Sequence, residues 1–174
     1  MIQLLSQRHI HIQAIHIPGV INSRADWLSR HPTHNDYQLD RTVYHQVCSQ
    51  LHYYPDTDLF ASRQNRLCKQ YCSWQTDPRS MGNAWSIHWG KLKGWINAPH
   101  TLIPRCLAKI QSDKAKVMIC VPEWTTAKWW STLQSMICHR HPTQRYHHQA
   151  IFHTQEGAVM QDQRWATHFL VVQG

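Results

Sequence analysis

Four consecutive residues, Asn97-Ala98-Pro99-His100, carry a concentration of groups able to hold a flat polar ligand. Asn97 offers a side-chain oxygen as acceptor, and Ala98 offers its backbone carbonyl. Pro99 steers Ala98 away from helical backbone toward an extended conformation. His100 supplies a ring, and stacking of a base on an aromatic side chain is worth ~1–3 kcal/mol. The same four residues also fit an ordinary strand-to-helix turn capped by Thr101. A second candidate is Asp58, an acid within a short apolar stretch.

The surrounding periodicity says what would position these groups. A helix is expected over 41–52, with Val43, Tyr44, Val47, Cys48 and Leu51 on one face. A short strand is expected over 57–61, and 61–93 reads as irregular. Then a regular alternation begins. A strand covers 94–97, and a helix covers 101–112 with Leu102, Ile103, Cys106, Leu107 and Ile110 inward. Pro104 sits near that helix's start, where a missing N–H costs little. The apolar run 115–121 is the mark of a strand buried on both faces. A helix over 126–138 turns Trp129, Trp130, Leu133 and Ile137 inward, and a strand over 167–173 follows. This succession predicts an α/β fold with a largely parallel sheet. In such sheets ligands bind at the carboxyl ends of strands, where both Asp58 and Asn97 fall.

The N-terminal part reads differently. Ile10, Ile12, Ile15 and Ile17 nearly alternate with polar residues, which predicts a strand over 9–17 ended by Pro18-Gly19. Asn22 caps a short helix over 23–30. Residues 32–40 are polar and turn-rich, as expected of a linker. The division is therefore 1–31, a linker 32–40, and a main domain 41–174.

The chain of 174 residues has a formal net charge of +8. The charge is uneven: 63–116 holds ten Lys and Arg and two acids, Asp77 and Asp113. Trp74, Trp85, Trp89 and Trp95 interleave with these cations. Cations neutralise phosphates and indoles stack on bases, so Arg63, Arg66, Lys69, Lys91, Lys93 and Arg105 are candidate nucleic-acid contacts. No apolar stretch is long enough to span a membrane, and the N-terminus does not read as a signal peptide. The six scattered cysteines are expected as reduced thiols in the cytoplasm or nucleus.

Asn97-Ala98-Pro99-His100 resembles the Asn/Asp-Pro-Pro-Tyr loop of adenine-specific DNA methyltransferases of the phage type. The series Asp58-Leu59-Phe60-Ala61, Asn65 and Tyr71 resembles the acid, alanine, asparagine and aromatic upstream of that loop. Asn83-Ala84-Trp85 with Trp89, and the stretch 117–130, resemble further blocks in the same order. The similarity covers roughly 36–138. It implies a Rossmann-like methyltransferase-type sheet with flanking helices, and S-adenosylmethionine as cofactor. Asp58, Phe60 and Asn65 would contact that cofactor. Asn97 and Ala98 would accept the two hydrogens of an adenine amine, and His100 would stack on the extruded base. The departures are Ala98 for proline, His100 for tyrosine, Asn83 for aspartate, and the absence of Gly-x-Gly after Asp58.

Residues 15–30 resemble the C-terminal end of retroelement RNase H domains, with His16, Gly19, Asn22 and Asp26 matching. Two-metal catalysis needs several converging acids, and the segment before His9 holds none, so no RNase H activity is expected. An RNase H tail followed by a methylase-like region resembles the polyproteins of DIRS-like retroelements. That resemblance implies upstream reverse transcriptase and RNase H regions as partners, and DNA or an RNA–DNA hybrid as ligand. The other reading is a catalytically inactive, basic nucleic-acid-binding module of the same complex. Cys68 and Cys72 with Cys138 and His139 lack a standard zinc spacing, and no metal is predicted.

Overall fold

The computed structural model describes residues 38–74, 76–139, 142–146, 151–153 and 166–174. All belong to the second of two units, Asp36–Gly174. The strand and helix expected over 9–30, with His16, Asn22 and Asp26, lie outside the described residues.

The elements in chain order are β1 (Gln38–Leu39), α1 (Arg41–Leu51), β2 (Thr57–Asp58), β3 (Gln70–Tyr71), a 3-10 turn Ala84–Ser86, β4 (Gly94–Ile96) and a 3-10 turn His100–Leu102. They continue with α2 (Ile103–Asp113), β5 (Lys116–Pro122), α3 (Trp130–Ser135), β6 (Gln144–Tyr146), β7 (Phe152–His153) and β8 (Thr167–Gln173). β1 and β7 form a small antiparallel pair. The other strands form one six-stranded sheet in the order β3-β2-β4-β5-β8-β6. The pairings from β3 to β5 are parallel, and those of β8 with β5 and β6 are antiparallel. The protein is thus mixed α/β with a mostly parallel sheet.

β5 and β8 organise the core by strict alternation. Val117, Ile119 and Val121 with Leu170 and Val172 pack against Ile103, Cys106, Leu107 and Ile110 of α2 and Leu133 of α3. Met118, Cys120, Phe169 and Val171 face the other way, against Tyr44, Val47, Cys48 and Leu51 of α1. The run 117–121 is apolar throughout because both of its faces are covered.

α1 begins where Asp40 accepts hydrogen bonds from the N–H groups of Thr42 and Val43, at 2.7 and 3.2 Å. It ends at His52, whose left-handed backbone returns its N–H to Cys48 and Ser49 carbonyls. α2 has Pro104 in its first turn, as expected, and a left-handed Lys114 at its end.

Several expectations need correction. Residues 38–39, placed in the linker, pair with β7. The strand expected over 57–61 is confined to Thr57–Asp58, because Asp58 turns its carboxylate back onto the following backbone. The stretch 61–93 contains β3, which is only two residues long and leaves no periodic signal. The helix expected over 126–138 is α3 alone, preceded by turns from Trp124 to Ala127 and from Ala127 to Trp130. Thr101 caps nothing: neither the 3-10 turn nor α2 has a side-chain cap.

Candidate functional site

β2 leads to β3 on one side of itself and then to β4 on the other. The strand order thus reverses between β2 and β4, and in parallel sheets ligands bind at the carboxyl ends of strands at such a point. Asp58 is opposite Trp95 in the β2–β4 ladder, so Asn97 follows two residues further along the neighbouring strand. The topology therefore brings the two principal sequence candidates to one rim.

The side chains at that rim are differently disposed. Asp58 is 3% exposed. Its Oδ1 accepts a hydrogen bond from Phe60 N at 3.3 Å, and its Oδ2 accepts one from Leu67 N at 3.0 Å. Burial pushes the carboxyl up to about 6, against the two N–H groups that favour its charged form. Asn65 Oδ1 accepts from Ser62 N at 2.6 Å and Ser62 Oγ at 3.0 Å, closing a turn. The Phe60 ring lies edge-on to Trp85 and Trp89, at 5.3 and 6.2 Å between centroids. All three candidate cofactor contacts are thus engaged in holding the 58–67 segment together. With Asp58 buried and its oxygens and that of Asn65 already bonded within the segment, the residues as arranged do not fit the hydroxyls or the amine of S-adenosylmethionine.

The loop after β4 is more open. Asn97 is half-buried, Ala98 packs into the core, and Pro99 and His100 are exposed. The His100 ring meets Trp124 edge-on at 4.7 Å, and partial desolvation lowers its pKa although the residue is exposed overall. Trp124 continues to Trp129 and Trp130, and Trp130 to His168, so the rim carries a run of aromatic contacts. At its far end Glu123 accepts from Arg145 Nε and Nη2 at 2.9 and 2.6 Å. His168 Nε2 stands 3.6 Å from the same carboxylate.

The basic residues do not form one patch. Lys69, Lys91 and Lys93 lie just before β3 and β4, at the amino edge of the parallel strands. Arg63, after β2, and Arg105, at the start of α2, lie toward the carboxyl edge. The Arg105 guanidinium is 4.0 Å from the Trp85 ring centre, which covers that indole. Arg66 donates to the Lys69 carbonyl at 2.8 Å and lies over Tyr71 at 5.2 Å.

Of the four interleaved tryptophans, Trp89 and Trp95 are wholly buried and Trp85 is half-buried. Trp89 donates its Nε1–H to the Ala84 carbonyl and its backbone N–H to Asp113. Trp95 stacks on Phe169. Only Trp74 stands out, 84% exposed. Arg79 was counted among the cations of 63–116 but not singled out. The Asp77 carboxyl is held below its usual range first by the Tyr71 hydroxyl and the Arg79 N–H, with smaller contributions from the Arg63 and Arg79 charges. Alternation of charge and indole does not separate core tryptophans from exposed ones, so the sequence pattern includes Trp74 without setting it apart from Trp85, Trp89 and Trp95.

Among the described residues, no group of three or more His, Cys, Asp or Glu is placed to hold a metal ion. All six cysteines are free thiols. Among the described residues no helix is long and apolar enough to cross a membrane. No family model matches the chain, and no curated protein matches it either.

Proposed function

We propose that this domain is the methyltransferase-like region of a DIRS-like retroelement polyprotein, and that it binds nucleic acid without transferring a methyl group. The parallel strands with a reversal of order at β2, and helices on both faces of the sheet, support a Rossmann-like methyltransferase ancestry. So does the meeting of Asp58 and Asn97 at one rim. The loss of methyl transfer rests on a single observation: Asp58 is 3% exposed, with each of its oxygens bonded to a backbone N–H of its own loop. The basic surface, with few acids to oppose it, supports phosphate binding.

Isothermal titration of the folded full chain tests this. A single-stranded oligonucleotide is expected to give saturable heat, and S-adenosylmethionine none. Stoichiometric heat with S-adenosylmethionine would restore the enzyme reading, and no heat with either oligonucleotide or duplex would remove the binding reading.

One observation favours the enzyme reading. Asn97 is only half-buried, and its side chain makes no hydrogen bond to another described residue. Its oxygen, with the Ala98 carbonyl, would then accept the hydrogens of an adenine amine while His100 stacks on the base.

A further inference from the structure

We infer that Trp74, exposed in a cation-rich segment just beyond the edge strand, is a stacking platform for an unpaired nucleobase, so that the nucleic acid this domain holds is single-stranded. The inference rests on the nucleic-acid-binding reading above and names the ligand class and the corner of the molecule that takes it.

Trp74 follows β3, the edge strand of the sheet, by three residues and lies on its carboxyl side. The segment is anchored on both sides. Ala61 N donates to the Cys72 carbonyl at 3.1 Å, Ser73 N to the Gly82 carbonyl at 3.1 Å, and Met81 N to the Tyr71 carbonyl at 2.9 Å. These bonds fix the backbone leading into Trp74, which limits the ordering that stacking requires. An indole this exposed leaves a large apolar face in water, and its neighbour in the same corner, Met81, is 40% exposed. Lone exposed apolar residues are common, but a tryptophan this exposed in a cation-rich segment suits a base and its phosphate.

Charge points to the same ligand. Residues 62–81 contain Arg63, Arg66, Lys69 and Arg79 against one acid, Asp77. That acid already accepts the Tyr71 hydroxyl and the Arg79 N–H. Ser73, the residue before Trp74, lines a hollow of about 160 Å³ together with Ser62, Arg63, Thr76 and Asp77, where the Arg63 guanidinium suits a phosphate. A duplex offers no free base face, because its bases already stack on each other. A single strand does.

The experiment compares the wild-type full chain with Trp74→Ala and Trp74→Phe, measuring anisotropy of a labelled single-stranded oligonucleotide and of a duplex. Trp74→Ala is expected to weaken single-strand binding by about 10- to 100-fold and duplex binding by less than about twofold. Trp74→Phe should recover most of the loss. Trp74 is nearly bare of contacts, so circular dichroism of both variants should match the wild type. If the wild type binds single strands and Trp74→Ala binds them equally well, this platform is wrong and the binding reading stands. Equal weakening for single strand and duplex would also overturn it. If the wild type binds neither, both fail.

Discussion

Asp58 stands opposite Trp95 in the parallel ladder of β2 and β4, with the indole stacked on Phe169 and the carboxylate folded back onto Phe60 and Leu67 N–H. This acid sits where a parallel sheet presents ligand-binding groups, yet it spends its oxygens on its own loop. The rim is in place and its carboxylate serves the fold.

Removing that acid should therefore cost stability. Asp58→Ala leaves two N–H groups at a buried position without acceptors, and each such loss costs ~1–3 kcal/mol. Urea unfolding near pH 4, where the carboxyl is largely protonated and its ionisation no longer penalises folding, is expected to show a loss of about 2–4 kcal/mol. Single-strand affinity measured well below the midpoint should not change.

The same residue makes a pH prediction. A carboxyl raised from 3.8 to about 6 binds its proton more tightly when folded. Folding is then penalised above that range, by about 3 kcal/mol at neutral pH, and the penalty disappears as pH falls toward 3.8. His100 and His168 act oppositely: burial lowers their pKa values, so acid favours their unfolded forms. Comparing wild type with Asp58→Asn isolates the acid, because the histidines are common to both. The wild type should gain stability relative to Asp58→Asn between pH 7 and pH 4.5. A constant difference would show that the carboxyl titrates normally.

Gly90 is required for space. A methyl group there would lie 2.4 Å from the Asp113 carbonyl oxygen, which is backbone and cannot yield cheaply. Gly90→Ala should cost about 1–3 kcal/mol in thermal or chemical unfolding. Gly82 has open space around it but a φ of +89°, so Gly82→Ala should cost ~1–2 kcal/mol through backbone strain alone.

The cations should separate by edge. Neutralising Arg63 and Arg79 together should flatten the salt dependence of single-strand binding by about 0.7 per residue. Neutralising Lys91 and Lys93, at the opposite edge, should leave the slope within error of the wild type.

Much of the architecture was legible. Val117 to Val121 is apolar at every position, which needs cover on both faces, and α1 and α2 provide it. The inward faces of α1 and α2 followed from their periodicity. β3 and β7 were not legible, because a two-residue strand has no period. The reversed run of β8 was hidden too, since strand direction is set by where the connection returns. At the site, sequence placed Asp58 and Asn97 at strand ends but not the direction of the Asp58 carboxylate, which depends on the N–H of Leu67 nine residues later. Trp74 and Trp89 look alike in sequence. What separates them is that Trp89 has Ala84, Asp113 and Lys109 around it.

The most direct test is the affinity of the full chain for a labelled single-stranded oligonucleotide across a range of salt concentrations. With Arg63, Arg66 and Arg79 on phosphates, log affinity should fall against log salt with a slope of about −2. A flat line, or no binding at low salt, would contradict nucleic-acid binding by this domain.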